Sequence, residues 1–120
     1  DICPARTFGF ADQVEQLRSR GLARGASLEN AIVISGERVL NEDGLRYADE
    51  FVRHKVLDCL GDIYLLGAPV RGHMTTRYAG HVLNHALIRA LEADPSAWEY
   101  VTVVEEDSEK EAITAVAALG

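Results

Sequence analysis

The sequence predicts an α+β fold, a two-layer sandwich in which a small β-sheet packs against two main helices. Two segments with helical periodicity, at about 48–60 and 80–95, are interleaved with short strand-like segments such as the β-branched "AIVIS" at 31–35. The length of 120 residues, with 48% hydrophobic and 26% charged residues, is typical of one globular domain. We expect that domain to span residues 1–104 and an acidic tail to follow over 105–120.

Several short elements are predicted before the first long helix: a strand over 6–10, a helix over 11–21, a strand over 31–35 and an extended piece over 38–40. Gly21 is a plausible end for the short helix. The segment "NEDG" at 41–44 predicts a turn, with Gly44 suited to a positive φ. In the long helix that follows, the spacing of Val52, Val56 and Leu60 predicts that they point into the core.

The remaining elements are predicted as a strand over 63–70, a second strand over 71–78, the helix over 80–95 and an extended piece over 97–104. The helix over 80–95 is amphipathic, and Pro95 ends it. Its predicted apolar stripe consists of Leu83, Leu87, Ala90 and Leu91.

The composition argues against several classes of function. A net charge of −7 disfavours sequence-independent nucleic-acid binding, which needs a basic surface. The sequence contains neither an apolar run of membrane-spanning length nor a recognisable signal peptide. The first residue is not methionine, so we expect a sequence that starts within a longer chain, or a chain that was processed or cut. Two cysteines form no disulfide framework, so we expect a reducing, cytoplasmic setting with Cys59 buried.

A row of polar side chains raises the question of chemistry. His54, Asp58 and Asp62 recur every four residues and therefore share one face of the first long helix. A histidine and a carboxylate at this spacing can hold one metal ion. They can equally form a solvated pair on the helix surface, worth about 0.2–0.5 kcal/mol.

Three segments resemble a known family: "RTFGF", "VLNEDGLRYADEFVRHKVLDCLGD" and "GHVLN". In this order they are similar to the C-terminal domain of UDP-3-O-acyl-N-acetylglucosamine deacetylase, over about residues 4–100. The resemblance implies a zinc-dependent hydrolase that removes the N-acetyl group of its substrate in lipid A synthesis of Gram-negative bacteria. It also implies a strand–helix–strand insert at about 11–35 that forms a tunnel for the acyl chain of the substrate.

The resemblance assigns roles to individual residues. It implies that His54 and Asp58 are two zinc ligands and that Asp62 holds His81, which protonates the leaving amine or stabilises the oxyanion. It implies that Thr7 helps hold the reacting carbonyl oxygen, Lys55 approaches the nucleotide phosphate and Phe8 lines the sugar site. Each residue type also has an ordinary structural explanation: a helix-capping histidine, a solvated lysine or a strand residue facing the core.

The sequence departs from the family pattern at two positions near the site. Tyr78 stands where the family usually has a lysine, which weakens the expectation of phosphate binding. The asparagine pair after the active-site histidine reads Asn84–His85 here. We expect His73 and His85 to be solvated or structural.

The chain also lacks the Glu-His pair with which the family's N-terminal domain supplies the general base and the third zinc ligand. We therefore expect that domain to act in cis or in trans, and the isolated chain to bind zinc weakly and to be inactive. Two alternatives are a binding module that keeps the acyl or nucleotide contacts without catalysis, and an unrelated small α+β protein. The retained set of His54, Asp58, Asp62 and His81 argues against the binding module.

Overall fold

A computed structural model describes residues 1–102 of the chain. Its strands are β1 (Thr7–Phe10), β2 (Ala31–Ser35) and β3 (Arg38–Val39), and its α-helices are α1 (Val14–Ser19), α2 (Glu50–Ile63) and α3 (His81–Ala93). Short 3₁₀ turns cover Ala11–Gln13, Tyr64–Leu66 and Pro95–Ala97. The predicted α+β class is confirmed. The predicted tail over 105–120 lies outside the described residues.

The chain divides into two compact units, one ending at Leu57 and the other beginning at Asp58. The first unit contains the whole sheet, in the order β1-β2-β3. Strand β1 pairs with β2 in parallel, and β2 pairs with β3 in the antiparallel direction. A parallel pair needs a crossover connection, which the 3₁₀ turn and α1 provide.

The centre of this sheet holds the most deeply buried apolar side chain of the described residues, Ile32, which is fully inaccessible to solvent. The buried side chain of Asn41 hydrogen-bonds the backbone in and just before β2. Its amide nitrogen donates to the carbonyls of Leu28 and Ala31, and its amide oxygen accepts from the backbone N–H of Val33. These bonds satisfy backbone groups that lie outside the short β2–β3 ladder.

Helix α1 ends as its sequence predicts. Gly21 takes a left-handed conformation with φ of +76°. The N–H groups of Gly21 and Leu22 donate to the carbonyls of Arg18 and Leu17, which is the Schellman pattern of helix termination. The predicted turn at 41–44 is also confirmed, with the Gly44 N–H donating to the Asn41 carbonyl and a φ of +63°.

Helix α2 presents its apolar residues differently from the prediction. Val52, Val56 and Leu60 are 63%, 45% and 42% exposed, so the prediction that they point into a core is wrong. The buried residue of this helix in the second unit is Cys59, as expected, and its sulfur lies 3.9 Å from the sulfur of Met74. Helical spacing identified a row of apolar residues, but spacing alone does not say which side of a helix is covered.

The two strands predicted over 63–70 and 71–78 are wrong. Helix α2 continues through Gly61 to Ile63, and a 3₁₀ turn follows at Tyr64–Leu66. Gly67, with φ of +75°, ends that turn. The residues from 67 to 80 form no regular element. A short apolar run does not distinguish a strand from the end of a helix, which explains the error.

Helix α3 forms close to the predicted bounds, with its buried face displaced by one residue. Asn84 and Ile88 are buried, whereas Leu83 is exposed and Leu87 is half-buried. The asparagine is buried because its side chain hydrogen-bonds an aspartate in the same unit. The predicted extended piece over 97–104 begins at Ala97, the last residue of a 3₁₀ turn, and forms no strand over 98–102. Its last two residues lie beyond those described.

Candidate functional site

Strand β1 carries two of the expected site residues, Thr7 and Phe8. Their side chains leave opposite faces of the strand, since successive strand residues alternate. Thr7 is exposed. The half-buried Phe8 ring packs edge-to-face on Phe51 of α2, with the ring centroids 4.8 Å apart. This contact joins β1 to the first turns of α2.

The same phenylalanine lies beside two expected site residues of α2. The His54 ring centroid is 6.4 Å from that of Phe8, and the Lys55 ammonium nitrogen lies 5.3 Å from the Phe8 centroid. A cation within about 6 Å of an aromatic face is attracted by the ring quadrupole. The structure therefore brings Phe8, His54 and Lys55 together in the first unit.

A backbone contact orients the His54 ring. Its Nδ1 lies 3.2 Å from the carbonyl oxygen of Ala5. A carbonyl oxygen only accepts hydrogen bonds, so Nδ1 must carry the proton in this contact. The nitrogen that would bind a metal ion is then Nε2.

The first unit also contains a buried ion pair that sequence reasoning missed. Arg6 Nε donates to Glu50 Oε1 at 3.0 Å, and the two side chains are 3% and 0% exposed. Glu50 also accepts from the backbone N–H groups of Arg6 and Arg46, at 2.9 and 2.6 Å. Forty-four residues separate the partners, so no local pattern reports the pair. The one available signal was that Glu50 precedes His54 by four residues and lies in the same row.

These contacts set the charge of Glu50. Burial alone would raise the pKa of this carboxyl, but the hydrogen bonds from the Arg6 side chain and from the backbone of Arg6 and Arg46 outweigh it. The pKa of Glu50 falls from 4.5 to about 2. The pKa of Arg6 is raised, chiefly by its hydrogen bond to Glu50. Both groups are therefore charged throughout the physiological pH range.

In the second unit, Asp62 of α2 is the centre of a polar cluster with three residues of α3. Its Oδ2 accepts from His81 Nδ1 at 2.7 Å and from Asn84 Nδ2 at 2.8 Å. Its Oδ1 accepts from His85 Nε2 at 3.3 Å. The N-cap position of α3 is Gly80, so His81 is not the helix cap that its position also permitted.

Burial raises the pKa of Asp62, but the hydrogen bonds from Asn84, His81 and His85 outweigh it, and the net pKa is lowered. The contact of His85 with Asp62 is compatible with the expected solvated or structural role, although its partner was not predicted. His85 follows His81 by four residues, so helical spacing alone places both rings on one face of α3.

Two side chains of α2 offer atoms of the kind that zinc binds. His54 and Asp58 lie one turn apart on the continuous helix α2, and both are half-buried. Imidazole nitrogen and carboxylate oxygen are ordinary zinc ligands. Metal-binding histidines usually donate their other ring N–H to a carbonyl or a carboxylate, as His54 does to Ala5.

A second group of donors, Asp62, His81 and His85, has ligand atoms within 4.8 Å of one another. Their mutual hydrogen bonds account for this proximity without an ion. Two further residues noted in the sequence, His73 and Tyr78, are exposed. Tyr78 is 94% exposed and has a φ of +55°. Among residues 1–102, no helix combines the length and the apolar character needed to cross a membrane.

Comparisons with known proteins agree with these observations. The family model described as LpxC, UDP-3-O-acyl N-acetylglycosamine deacetylase, matches residues 1–93. The chain is 56% identical over 109 residues to the UDP-3-O-acyl-N-acetylglucosamine deacetylase of Phenylobacterium zucineum (strain HLK1). The aligned region covers 91% of this chain and 37% of that protein.

Two further deacetylases of the same name are similar at this level. The protein of Acidithiobacillus ferrooxidans (strain ATCC 53993 / BNL-5-31) is 57% identical over 105 residues, covering 88% of this chain and 34% of the relative. The protein of Myxococcus xanthus (strain DK1622) is 58% identical over 101 residues, covering 84% and 32%. The chain thus spans about a third of the length of these relatives. It belongs to the LpxC family of UDP-3-O-acyl-N-acetylglycosamine deacetylases.

Proposed function

We propose that this chain forms part of a zinc-dependent UDP-3-O-acyl-N-acetylglucosamine deacetylase, which hydrolyses the N-acetyl group of its substrate in lipid A synthesis. The chain supplies two zinc ligands, an aspartate-held histidine and substrate contacts, and the rest of the enzyme completes the site. The contact that carries this proposal is the 2.7 Å hydrogen bond between Asp62 Oδ2 and His81 Nδ1.

Amide hydrolysis requires a proton for the departing amine, because an amine anion is a poor leaving group. A positioned imidazole is the commonest side chain for such proton transfer. Asp62 holds the ring of His81 through Nδ1, which leaves Nε2 available for the substrate. Asn84 holds the same carboxylate oxygen, so Asp62 is itself fixed. This arrangement supports His81 as the group that protonates the leaving amine or stabilises the oxyanion.

His54 and Asp58 would hold the zinc ion, with a third ligand from the rest of the enzyme. Bound zinc lowers the pKa of a water molecule and polarises the amide carbonyl. The two donors are four residues apart within the bounds of helix α2. Two protein ligands are fewer than the three of ordinary catalytic zinc sites, so this chain alone should bind zinc weakly.

The substrate contacts involve residues of β1 and α2 in the first unit. The Thr7 hydroxyl would donate to the reacting carbonyl oxygen, and the Phe8 ring would line the sugar site. The Lys55 ammonium lies over Phe8, and we assign it to the nucleotide phosphate. The segment 11–35, which contains α1 and β2, would form the tunnel for the acyl chain.

The partner of this chain is the rest of the enzyme, joined to it in cis or in trans. The relatives are about three times as long as the part that matches. Helix α2 also exposes a row of apolar side chains, Val52, Val56 and Leu60, which water solvates poorly. We assign that row to contact with the rest of the enzyme. A cytoplasmic location, expected from the two free cysteines, is part of the same proposal.

A chimera tests the proposal. The aligned segment of the Phenylobacterium zucineum relative is replaced by this chain, and acetate release from UDP-3-O-acyl-N-acetylglucosamine is measured. We expect zinc-dependent activity that is lost in the His54→Ala and His81→Ala variants. His73→Ala is the matched control, since His73 is exposed and has no assigned role. A folded, zinc-loaded chimera without activity would refute the proposal.

A further inference from the structure

One peptide unit contacts two side chains of helix α2. The N–H of Arg6 donates to Glu50 Oε1 at 2.9 Å. The carbonyl oxygen of Ala5, in the same peptide unit, accepts from His54 Nδ1 at 3.2 Å. Glu50 and His54 lie one helical turn apart, so the Ala5–Arg6 peptide bridges successive turns of α2.

The geometry of a peptide couples these two contacts. The amide is planar and trans, so its N–H and C=O groups point in opposite directions and cannot turn independently. A side chain that holds the N–H therefore also fixes the direction of the carbonyl. Through this peptide, Glu50 determines where the acceptor for His54 lies.

Glu50 itself is firmly held. Its Oε1 accepts from Arg6 Nε at 3.0 Å, and its Oε2 accepts from the Arg46 N–H at 2.6 Å and from Arg6 Nη2 at 3.3 Å. The same Arg6 nitrogen donates to the Gly44 carbonyl at 2.7 Å. Because the Glu50 side chain is fully buried, water does not compete for these bonds.

We infer that Glu50 is a positioning residue for His54. It acts through the Ala5–Arg6 peptide, whose carbonyl holds the His54 ring with the proton on Nδ1 and directs a metal ion to Nε2. The inference rests on the proposed role of His54 as a zinc ligand. It assigns a function to the buried Arg6–Glu50 pair beyond stability.

The test combines two variants with two measurements. Glu50→Gln removes the charge and one acceptor oxygen. Asp43→Asn is the matched control, because Asp43 is an exposed partner of Arg6, at 3.3 Å, that does not touch the Ala5–Arg6 peptide. The His54 tautomer is measured by ¹⁵N NMR in the metal-free chain at alkaline pH. Zinc affinity is measured by competition with a chelator in the chimeric enzyme.

For Glu50→Gln we expect a loss of the Nδ1–H tautomer of His54 and a zinc affinity lowered by about 10- to 100-fold. Asp43→Asn should change neither. A folded Glu50→Gln variant with the wild-type tautomer and zinc affinity would overturn the inference. If that variant does not fold, the unmutated chain decides. A proton on His54 Nε2 in the metal-free protein would overturn the inference, and a proton on Nδ1 would support it.

A separate variant distinguishes this inference from the proposed function. His54→Ala should abolish tight zinc binding by the chimera. Unchanged zinc binding in His54→Ala would refute the role of His54 as a ligand. The tautomer measurement on the metal-free chain would still report whether Glu50 orients the ring.

Discussion

His81 Nδ1 lies 2.7 Å from Asp62 Oδ2, a distance typical of a charge-assisted hydrogen bond between helices α3 and α2. Asn84 donates to the same carboxylate oxygen and His85 approaches the other one. Among residues 1–102, the hydrogen-bond partners of this aspartate lie within the second unit, where it fixes one edge of the His81 ring.

This relationship predicts the effect of Asp62→Asn in the chimeric enzyme. An amide oxygen can still accept from His81, but the negative charge that makes this a charge-assisted hydrogen bond is lost. We expect kcat to fall by about 10²- to 10⁴-fold, the usual contribution of general acid–base catalysis, with little change in KM. Steady-state kinetics of acetate release measure both constants. A kcat within twofold of the unmutated value would show that Asp62 does not serve His81.

A second prediction concerns stability. Removing one partner of a buried ion pair leaves the other charge uncompensated, so Glu50→Ala should lower the free energy of unfolding by about 3–5 kcal/mol. Its neighbour Asp49 is the matched control, because it pairs with Arg53 at the surface and its removal should therefore destabilise the chain much less. Urea unfolding at neutral pH measures the free energy of unfolding of both variants. Equal losses for the two variants would contradict the structure.

The acid sensitivity of the chain follows from the same residue. The folded-state pKa of Glu50, about 2, lies below its ordinary value of 4.5. The stabilisation linked to ionisation is therefore complete above pH 4.5 and is lost as the pH falls toward 2. It amounts to a contribution on the order of 3 kcal/mol. The difference in unfolding free energy between the unmutated chain and Glu50→Gln should narrow over that window. A difference independent of pH would contradict this account.

The exposed row on α2 gives a prediction about assembly. Val52→Lys should weaken binding to the N-terminal part of a relative by more than about tenfold, because a lysine cannot be buried without losing its hydration. Val70→Lys is the control, since Val70 is similarly exposed but lies outside α2. Calorimetric titration of this chain with the N-terminal part of the relative measures the affinity between them. If both substitutions weakened binding equally, the exposed row on α2 would not be the contact with the rest of the enzyme.

Much of the fold was predictable because its signals are local. The β-branched segment 31–35 is strand β2, and Gly21 ends α1 in the predicted manner. The strand predicted over 63–70 is wrong because α2 was expected to end near Gly61 but continues to Ile63, and Gly67 ends the turn that follows. A helix tolerates an interior glycine at a cost of about 1 kcal/mol, so its position alone did not decide the boundary.

The site was predictable where residues share one helix or match the family motif. Helical spacing predicts that His54 and Asp58 lie one turn apart, and the resemblance predicts both their role as zinc ligands and the pairing of Asp62 with His81. The Arg6–Glu50 pair and the Ala5 carbonyl at His54 depend on how β1 meets α2. Contacts between residues more than forty positions apart leave no periodic signal in a single sequence. The third contact of Asp62, from His85, was available from spacing and was overlooked.

The measurement that tests the central claim most directly is deacetylation in trans. This chain is mixed with the N-terminal domain of a family member, with and without zinc, and acetate release from UDP-3-O-acyl-N-acetylglucosamine is followed. We predict activity only when chain, domain and zinc are all present, and its loss with His54→Ala. Activity from this chain alone, or none from a mixture in which the two parts form a zinc-loaded complex, would contradict the claim that the chain supplies part of a shared active site.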